Sequence, residues 1–352
     1  MSKERTMDAT TSSIHDSSVQ NMTCNSAVKS GESVLAVVYS LLFLVGISLN
    51  SFTLWFHCHG ARGRASKSWM IYLKHLTAAD FLLCATLPLR IIYYTSSSFN
   101  IHLLYCSVGA PLLFLNIAAS ILFMGYIAAN RYMKIFYSTG THFLMTPKAS
   151  HIISITTWVV LLTMAIAPYC ILMLINEHHD EHRMCAHLII GPVKTLHTVI
   201  HAVACIFFLL VLFSLVFFYY SISRRVHQVH LASSNSKKLV RSRRNMLVLV
   251  SVFCFCFVPC HIIRLPYMKL QGHCSVVLYY LKEVTVLLSA SNICLDPLIY
   301  VFHCKEFRAQ LNLNQIFCMK QKRNTSSVEA SDSEDQLNTV NTMSELQGQR
   351  QQ

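Results

Sequence analysis

Charge is scarce in this chain. Asp, Glu, Lys and Arg make up 13% of its 352 residues, while 53% are hydrophobic. A soluble globular protein carries roughly 25% charged residues, so a water-facing surface of ordinary composition is excluded and a lipid-facing one is indicated. Acids are scarcer than bases, and the formal net charge is +13. In a soluble protein that excess would point to nucleic acid. Here the basic residues sit in short loops between apolar runs, where membrane orientation accounts for them, and nucleic acid is not an expected partner. The first thirty or so residues lack the apolar core of a secretory leader, so the first apolar run is expected to serve as its own insertion signal. Also missing are a Gly-rich phosphate loop, a His-Glu-x-x-His helix and a nucleophile elbow, which leaves an enzyme without machinery.

Seven apolar stretches are each long enough to cross a hydrocarbon core of about 30 Å as a helix: Val34–His57, Trp69–Tyr94, Leu103–Phe136, His151–Ile175, Thr195–Ser223, Val240–Met268 and Val276–His303. The expected fold is an all-α membrane protein, a seven-transmembrane helix bundle with a short C-terminal interfacial helix. The expected organisation is an extracellular tail over 1–33, a membrane domain over 34–303, an interfacial helix over 304–318 and a disordered cytoplasmic tail over 319–352. The interfacial helix is read from Phe307, Leu311 and Ile316, which are spaced for one apolar face. A transporter is the non-receptor alternative. Transporters often carry internal repeats around a midplane site, whereas this chain has an odd number of spans and no evident repeat.

The loops on one side carry twelve basic residues: Arg62, Arg64, Lys67, Lys134, Lys148, Arg224, Arg225, Lys237, Lys238, Arg241, Arg243 and Arg244. The loops on the other side carry Arg183, Lys194 and Lys269. The positive-inside rule places the first set in the cytoplasm, with the N-terminus outside and the C-terminus inside. Asn21-Met22-Thr23 is then a glycosylation sequon on the outer side. Of 14 cysteines, Cys24, Cys106, Cys185 and Cys274 fall at the extracellular face, where two disulfides are expected and sequence alone permits three pairings.

The motifs along the spans resemble those of the rhodopsin-like (class A) G-protein-coupled receptors. Asn50 stands in Gly46-Ile47-Ser48-Leu49-Asn50, and Asp80 in Leu76-Thr77-Ala78-Ala79-Asp80. Cys106 opens the third span and Asn130-Arg131-Tyr132 closes it. Trp158, Tyr219 and Pro259 mark the fourth, fifth and sixth spans, and Asp296-Pro297-Leu298-Ile299-Tyr300 ends the seventh. That resemblance implies coupling to a heterotrimeric G protein and a disulfide between Cys106 and Cys185. The activation residues it implies are Asn130, Arg131, Tyr132, Tyr219, Phe257, Pro259, Pro297 and Tyr300. Phe257-Val258-Pro259-Cys260-His261-Ile262-Ile263-Arg264-Leu265-Pro266-Tyr267 and Lys282-Glu283-Val284-Thr285 are similar to the nucleotide (purinergic) receptors of the ADP and UDP-glucose branch. In that branch Cys24 would pair with Cys274, and coupling would be to the inhibitory G-protein subtype. Leu87-Pro88-Leu89-Arg90 and Ala129-Asn130-Arg131-Tyr132 look equally like receptors for hydroxy-acids, oxo-fatty acids and platelet-activating factor. An anionic lipid or small carboxylate therefore stays beside a nucleotide or nucleotide sugar as the ligand.

His261, Arg264 and Tyr267 recur at about one helical turn. With Lys282, Arg90, His197 and Lys194 they make a cationic rim at the extracellular mouth, expected to take an extracellular anionic small molecule. The alternative is that such side chains only reach for lipid headgroups or pack. Asp80 is an intramembrane carboxylate and functional by default. The resemblance gives it a sodium ion shared with Ser120, Asn292 and Asp296, an allosteric cation rather than a cofactor; a purely structural polar network is the alternative. Asn130 replaces the usual Asp beside Arg131, and Lys237 to Arg244 supplies no acid at the foot of the sixth span, so raised basal signalling is expected. Phe257 stands where most of the class has Trp, and the fifth span has no proline. His178, His179 and His182 are a weak zinc cluster or a solvated loop. Ser326, Ser327, Ser331 and Ser333, among acids, make either an acidic linker or a phosphorylated segment for an arrestin-like partner. Cys318 is a palmitoylation candidate that would add a membrane-lipid anchor.

Overall fold

The computed structural model describes residues 4–59, 68–137, 146–175, 192–231, 237–269, 276–303 and 307. Among them are seven helices long and apolar enough to cross a membrane: Gly31–Cys58, Ser68–Thr95, Phe99–Phe136, Pro147–Ile166, Thr198–Val229, Leu239–Arg264 and Val276–Val301. These are the first to seventh spans below. The first is the apolar part of a helix running Glu4–His59, so the polar N-terminal segment continues the helical backbone rather than ending before it. The seven spans belong to a unit that closes at Phe302. The expected interfacial helix and tail, with Cys318 and the serine cluster, lie outside the described residues apart from Phe307, as do Cys185 and Cys274.

Burial ranks the spans. The third buries 61% of its apolar window and the fifth only 11%. The third span is therefore the axis against which others pack, and the fifth turns most of its surface outward. Phe207, Leu210, Phe213 and Val216 lie on that exposed surface. Lipid tails are as apolar as leucine, so helices in a membrane associate through close packing and buried hydrogen bonds rather than hydrophobic burial. Both devices are present. A methyl group added at Gly46 would stand 2.4 Å from Ile293 Cδ1, so glycine permits the approach of the first and seventh spans. Asn116 Nδ2 donates to the Ala79 carbonyl at 2.7 Å, and Ser289 Oγ to the Cys256 carbonyl at 2.9 Å. Trp158 Nε1 donates to His75 Nδ1 at 3.1 Å. These bonds join the third span to the second, the seventh to the sixth, and the fourth to the second.

The seventh span is two helices, Val276–Ala290 and Asn292–His303, with a turn at Ser291 between them. Pro297 explains a further polar contact. Having no N–H, it leaves the carbonyl four residues earlier, that of Ile293, without a helical donor. Asn50 Nδ2 supplies one at 2.9 Å and also donates to the Gly46 carbonyl at 2.9 Å. The first-span asparagine and the seventh-span proline are thus two halves of one joint. The third span has its own irregularity. An α-helical turn, Phe99–Leu104, passes into a π-helical turn, Tyr105–Gly109, before the helix Ala110–Phe136. The wider turn resets the register and carries Tyr105 and Cys106 to buried positions.

Candidate functional site

At the extracellular ends, the rim residues fall into two groups. The first surrounds Glu283 in the seventh span. Arg90 Nη2 meets Glu283 Oε2 at 2.7 Å, Tyr94 donates its hydroxyl proton to the same oxygen at 2.6 Å, and Lys282 Nζ pairs with Glu283 Oε1. Arg90 also donates to the Tyr94 and Tyr105 hydroxyls, and its guanidinium lies 4.6 Å from the centre of the Tyr39 ring. Residues of the first, second, third and seventh spans meet here. Arg90 is only 5% exposed, so it does not reach for headgroups; it holds a carboxylate. Lys282 remains half-buried, its ammonium 5.3 Å from the Tyr267 ring centre and 4.9 Å from that of Tyr279. Within this hydrogen-bonded cluster, one carboxylate stands between two cations.

The second group lies between the third, fifth and sixth spans. Arg264 Nη2 donates to His201 Nε2 at 2.6 Å, which requires His201 to carry its proton on Nδ1. The Arg264 guanidinium sits 3.9 Å from the Phe114 ring centre, a cation–π contact. One turn down, His261 Nδ1–H donates to the Phe257 carbonyl at 2.9 Å, and its ring stacks on Phe208 with centroids 3.9 Å apart. Phe208 stacks on Phe253 at 5.8 Å, and Phe253 meets Phe257 edge-on at 5.4 Å. A contiguous ladder of rings therefore runs from the outer end of the sixth span to Phe257, which is fully buried. His197 lies on the fifth-span helix, but its side chain is outside the described residues.

Sequence reasoning missed Glu283, His201, Phe114 and Tyr105. Glu283 had a signal: it is an acid inside an apolar span, the same criterion that singled out Asp80. His201 and Phe114 had none, since their pairing with Arg264 joins three helices far apart in sequence.

Midway through the bundle, Asp80, Asp296, Ser120 and Asn292 are all fully buried. Asp80 and Asp296 interact with each other, and Asn292 Nδ2 donates to Ser120 Oγ at 2.9 Å. Both carboxylate oxygens of Asp80, both of Asp296 and the amide oxygen of Asn292 have no hydrogen-bond donor among the described residues. Lower still, the Tyr300 hydroxyl contacts Thr77 Oγ1, the Leu73 carbonyl and His57 Nε2. At the cytoplasmic end Arg131 lies 5.5 Å from the Trp69 ring centre. Asn130 is buried, its amide nitrogen unbonded among the described residues, and Tyr132 stacks on Phe218 at 4.7 Å. Tyr219 is half-buried on the fifth span, and Pro259 is inside the sixth-span helix. Cys106 is disulfide-bonded.

The family described as seven-transmembrane receptors of the rhodopsin family matches residues 49–300. The chain belongs to this family. It is 33% identical to purinoceptor 14 of Bos taurus over 297 residues, 82% of this chain and 87% of that protein. It is 30% identical to human purinoceptor 13 over 307 residues, covering 84% and 83%. It is 26% identical to the platelet-activating factor receptor of Rattus norvegicus over 316 residues, covering 82% and 87%. The protein is therefore a multi-pass membrane receptor of the purinergic-like branch, a G-protein-coupled receptor rather than an enzyme. As such it receives an extracellular ligand and transmits to a heterotrimeric G protein.

Proposed function

We propose that this receptor answers an extracellular anion, a nucleotide or nucleotide sugar, held by Arg264 and Lys282 and signalling through an inhibitory G protein. The observation that carries this reading is the placement of two cations over aromatic rings at the outer ends of the sixth and seventh spans, Arg264 on Phe114 and Lys282 beside Tyr267 and Tyr279. Arginine offers a planar donor fork for phosphate and lysine a mobile point charge, while rings beside them suit a base. His261, Tyr267 and His197 complete the proposed contacts, and Arg90 acts behind them by fixing Glu283. The purinoceptor names of two relatives support a purine-type ligand. The likeness to the platelet-activating factor receptor supports an anionic lipid as the second reading, with small carboxylates beside it. The test is suppression of cyclic AMP by wild-type receptor across nucleotides, nucleotide sugars, hydroxy-acids and phospholipids. A nucleotide response is expected; a response to phospholipid or carboxylate alone would overturn the nucleotide reading and leave the receptor.

The mid-bundle cluster is the proposed regulatory site. Five buried oxygens on two acids and an amide form a hard-oxygen set that fits a sodium ion or a shared proton. If sodium binds the resting receptor at ten times its dissociation constant, it adds about 1.4 kcal/mol of stability. The expected result is a melting temperature that rises when sodium replaces choline in wild type and stays constant in Asp80→Asn. A sodium-dependent rise that persists in the variant would remove Asp80 from the site.

The cytoplasmic reading concerns Asn130. An acid at that position would form an ion pair with Arg131, which the neutral amide of Asn130 cannot do. Asn130 is buried, and a hydrogen bond to a charged group is worth about 1.5–3 kcal/mol, so Asn130→Asp is expected to lower ligand-independent suppression of cyclic AMP by about tenfold or more. Unchanged basal signalling in this variant, at equal surface expression, would show that Asn130 does not set it.

A further inference from the structure

A groove of about 520 Å³ opens between the feet of the third and fifth spans. Its walls are two helical stripes. Tyr132, Ile135 and Phe136 line one side; Phe217, Tyr220, Ser221, Arg224, Arg225 and Gln228 line the other. The spacing on each helix is that of one face. Tyr132 keeps the feet together from within, stacking on Phe218 at 4.7 Å and meeting Phe217 at 5.8 Å.

The groove is graded along its length. Phe217, level with Tyr132, gives it an apolar end, with Phe136 one turn further along. Arg224 and Arg225 follow about 10 Å further along the helix axis, and Gln228 about 16 Å. Among the described residues no carboxylate lines it. The basic end lies on the side that loop charge assigns to the cytoplasm, where the leaflet carries anionic lipid. A soluble phosphate would use only the basic end.

We propose that this groove binds an anionic phospholipid of the cytoplasmic leaflet, its phosphate on Arg224 and Arg225 and the first part of an acyl chain against Phe136 and Phe217. The occupant touches Tyr132, so it bears on the residue beside Arg131 without entering the extracellular site.

The experiment places purified full-length receptor in phosphatidylcholine nanodiscs and adds phosphatidylinositol phosphate carrying a photoactivatable acyl chain. Labelled peptides are then mapped by mass spectrometry. Label is expected on the peptides containing Tyr132–Phe136 and Phe217–Gln228. Each arginine near an anionic lipid surface contributes about a fivefold factor, so Arg224→Gln with Arg225→Gln should lower that label roughly 25-fold. Arg243→Gln with Arg244→Gln, at the foot of the sixth span and outside the groove, should leave it unchanged and serves as the folding and general-charge control. Equal labelling by a photoactivatable phosphatidylcholine would overturn the proposal, as would competition by inorganic phosphate. So would intact lipid labelling in the Arg224/Arg225 pair together with weakened G-protein capture in detergent, which would make the groove a protein-docking surface.

Discussion

Glu283→Gln is expected to remove most of the receptor from the cell surface. The carboxylate is 4% exposed and bonds Arg90, Lys282 and Tyr94 at once. Glutamine keeps one acceptor but turns the other atom into a donor facing donors, and it leaves the buried Arg90 with no counter-charge among the groups it now touches. Removing one partner of a buried ion pair costs about 3–5 kcal/mol, a large fraction of the roughly 5–15 kcal/mol by which a typical domain is stable. Lys282 suffers less, being half-buried and long enough to reach water. The measurement is antibody labelling of an N-terminal epitope on intact cells, with the melting temperature of the purified fraction. Arg90→Leu combined with Glu283→Leu is expected to recover much of the loss, because replacing both charges by apolar groups removes the penalty that one unpaired charge creates. Wild-type surface levels and melting for Glu283→Gln alone would show that the cluster does not hold the outer ends of the spans together.

Much of the fold was legible because the membrane imposes it. Every backbone polar group in hydrocarbon must be satisfied within its own helix, so spans announce themselves as long apolar runs. All seven expected runs correspond to helices of the structure, with ends shifted by several residues. The first helix continues into the polar tail, and the third begins at Phe99 rather than Leu103. The π turn at Tyr105–Gly109 was not legible, because nothing in Tyr-Cys-Ser-Val-Gly distinguishes a five-residue turn from an α-helical one. The joint between Asn50 and Ile293 is explained by Pro297 only once the two helices are seen side by side.

The site was legible in its charges but not in their pairings. Arg90, Arg264 and Lys282 were readable as cations at helix ends. Which of them faces a ligand depends on partners that sequence does not place. Arg90 proves to be committed to Glu283, whereas Arg264 rests on a histidine and a phenylalanine. Glu283 carries the same sequence signal as Asp80, an acid within an apolar span, whereas its partners Arg90 and Tyr94 come from another span. The ring ladder from His261 to Phe257 was likewise invisible, since Phe208 belongs to another span.

Arg264→Ala carries the other large effect, and it tests the central claim most directly. Arg264 stands over Phe114 with His201 fixing one of its amino groups, so its fork is held in place before a ligand arrives. A hydrogen bond to a charged group is worth about 1.5–3 kcal/mol, which corresponds to a loss of agonist potency of about 10- to 150-fold. Arg264→Lys keeps the charge but not the planar fork and should fall between the two. The measurement is the concentration–response curve for cyclic AMP suppression by the active nucleotide, for wild type, Arg264→Lys and Arg264→Ala at matched surface expression. The expected result is a rightward shift that grows in that order with the maximal response of Arg264→Lys preserved. Curves for wild type and Arg264→Ala that superimpose would contradict the assignment of this cationic rim as the ligand site.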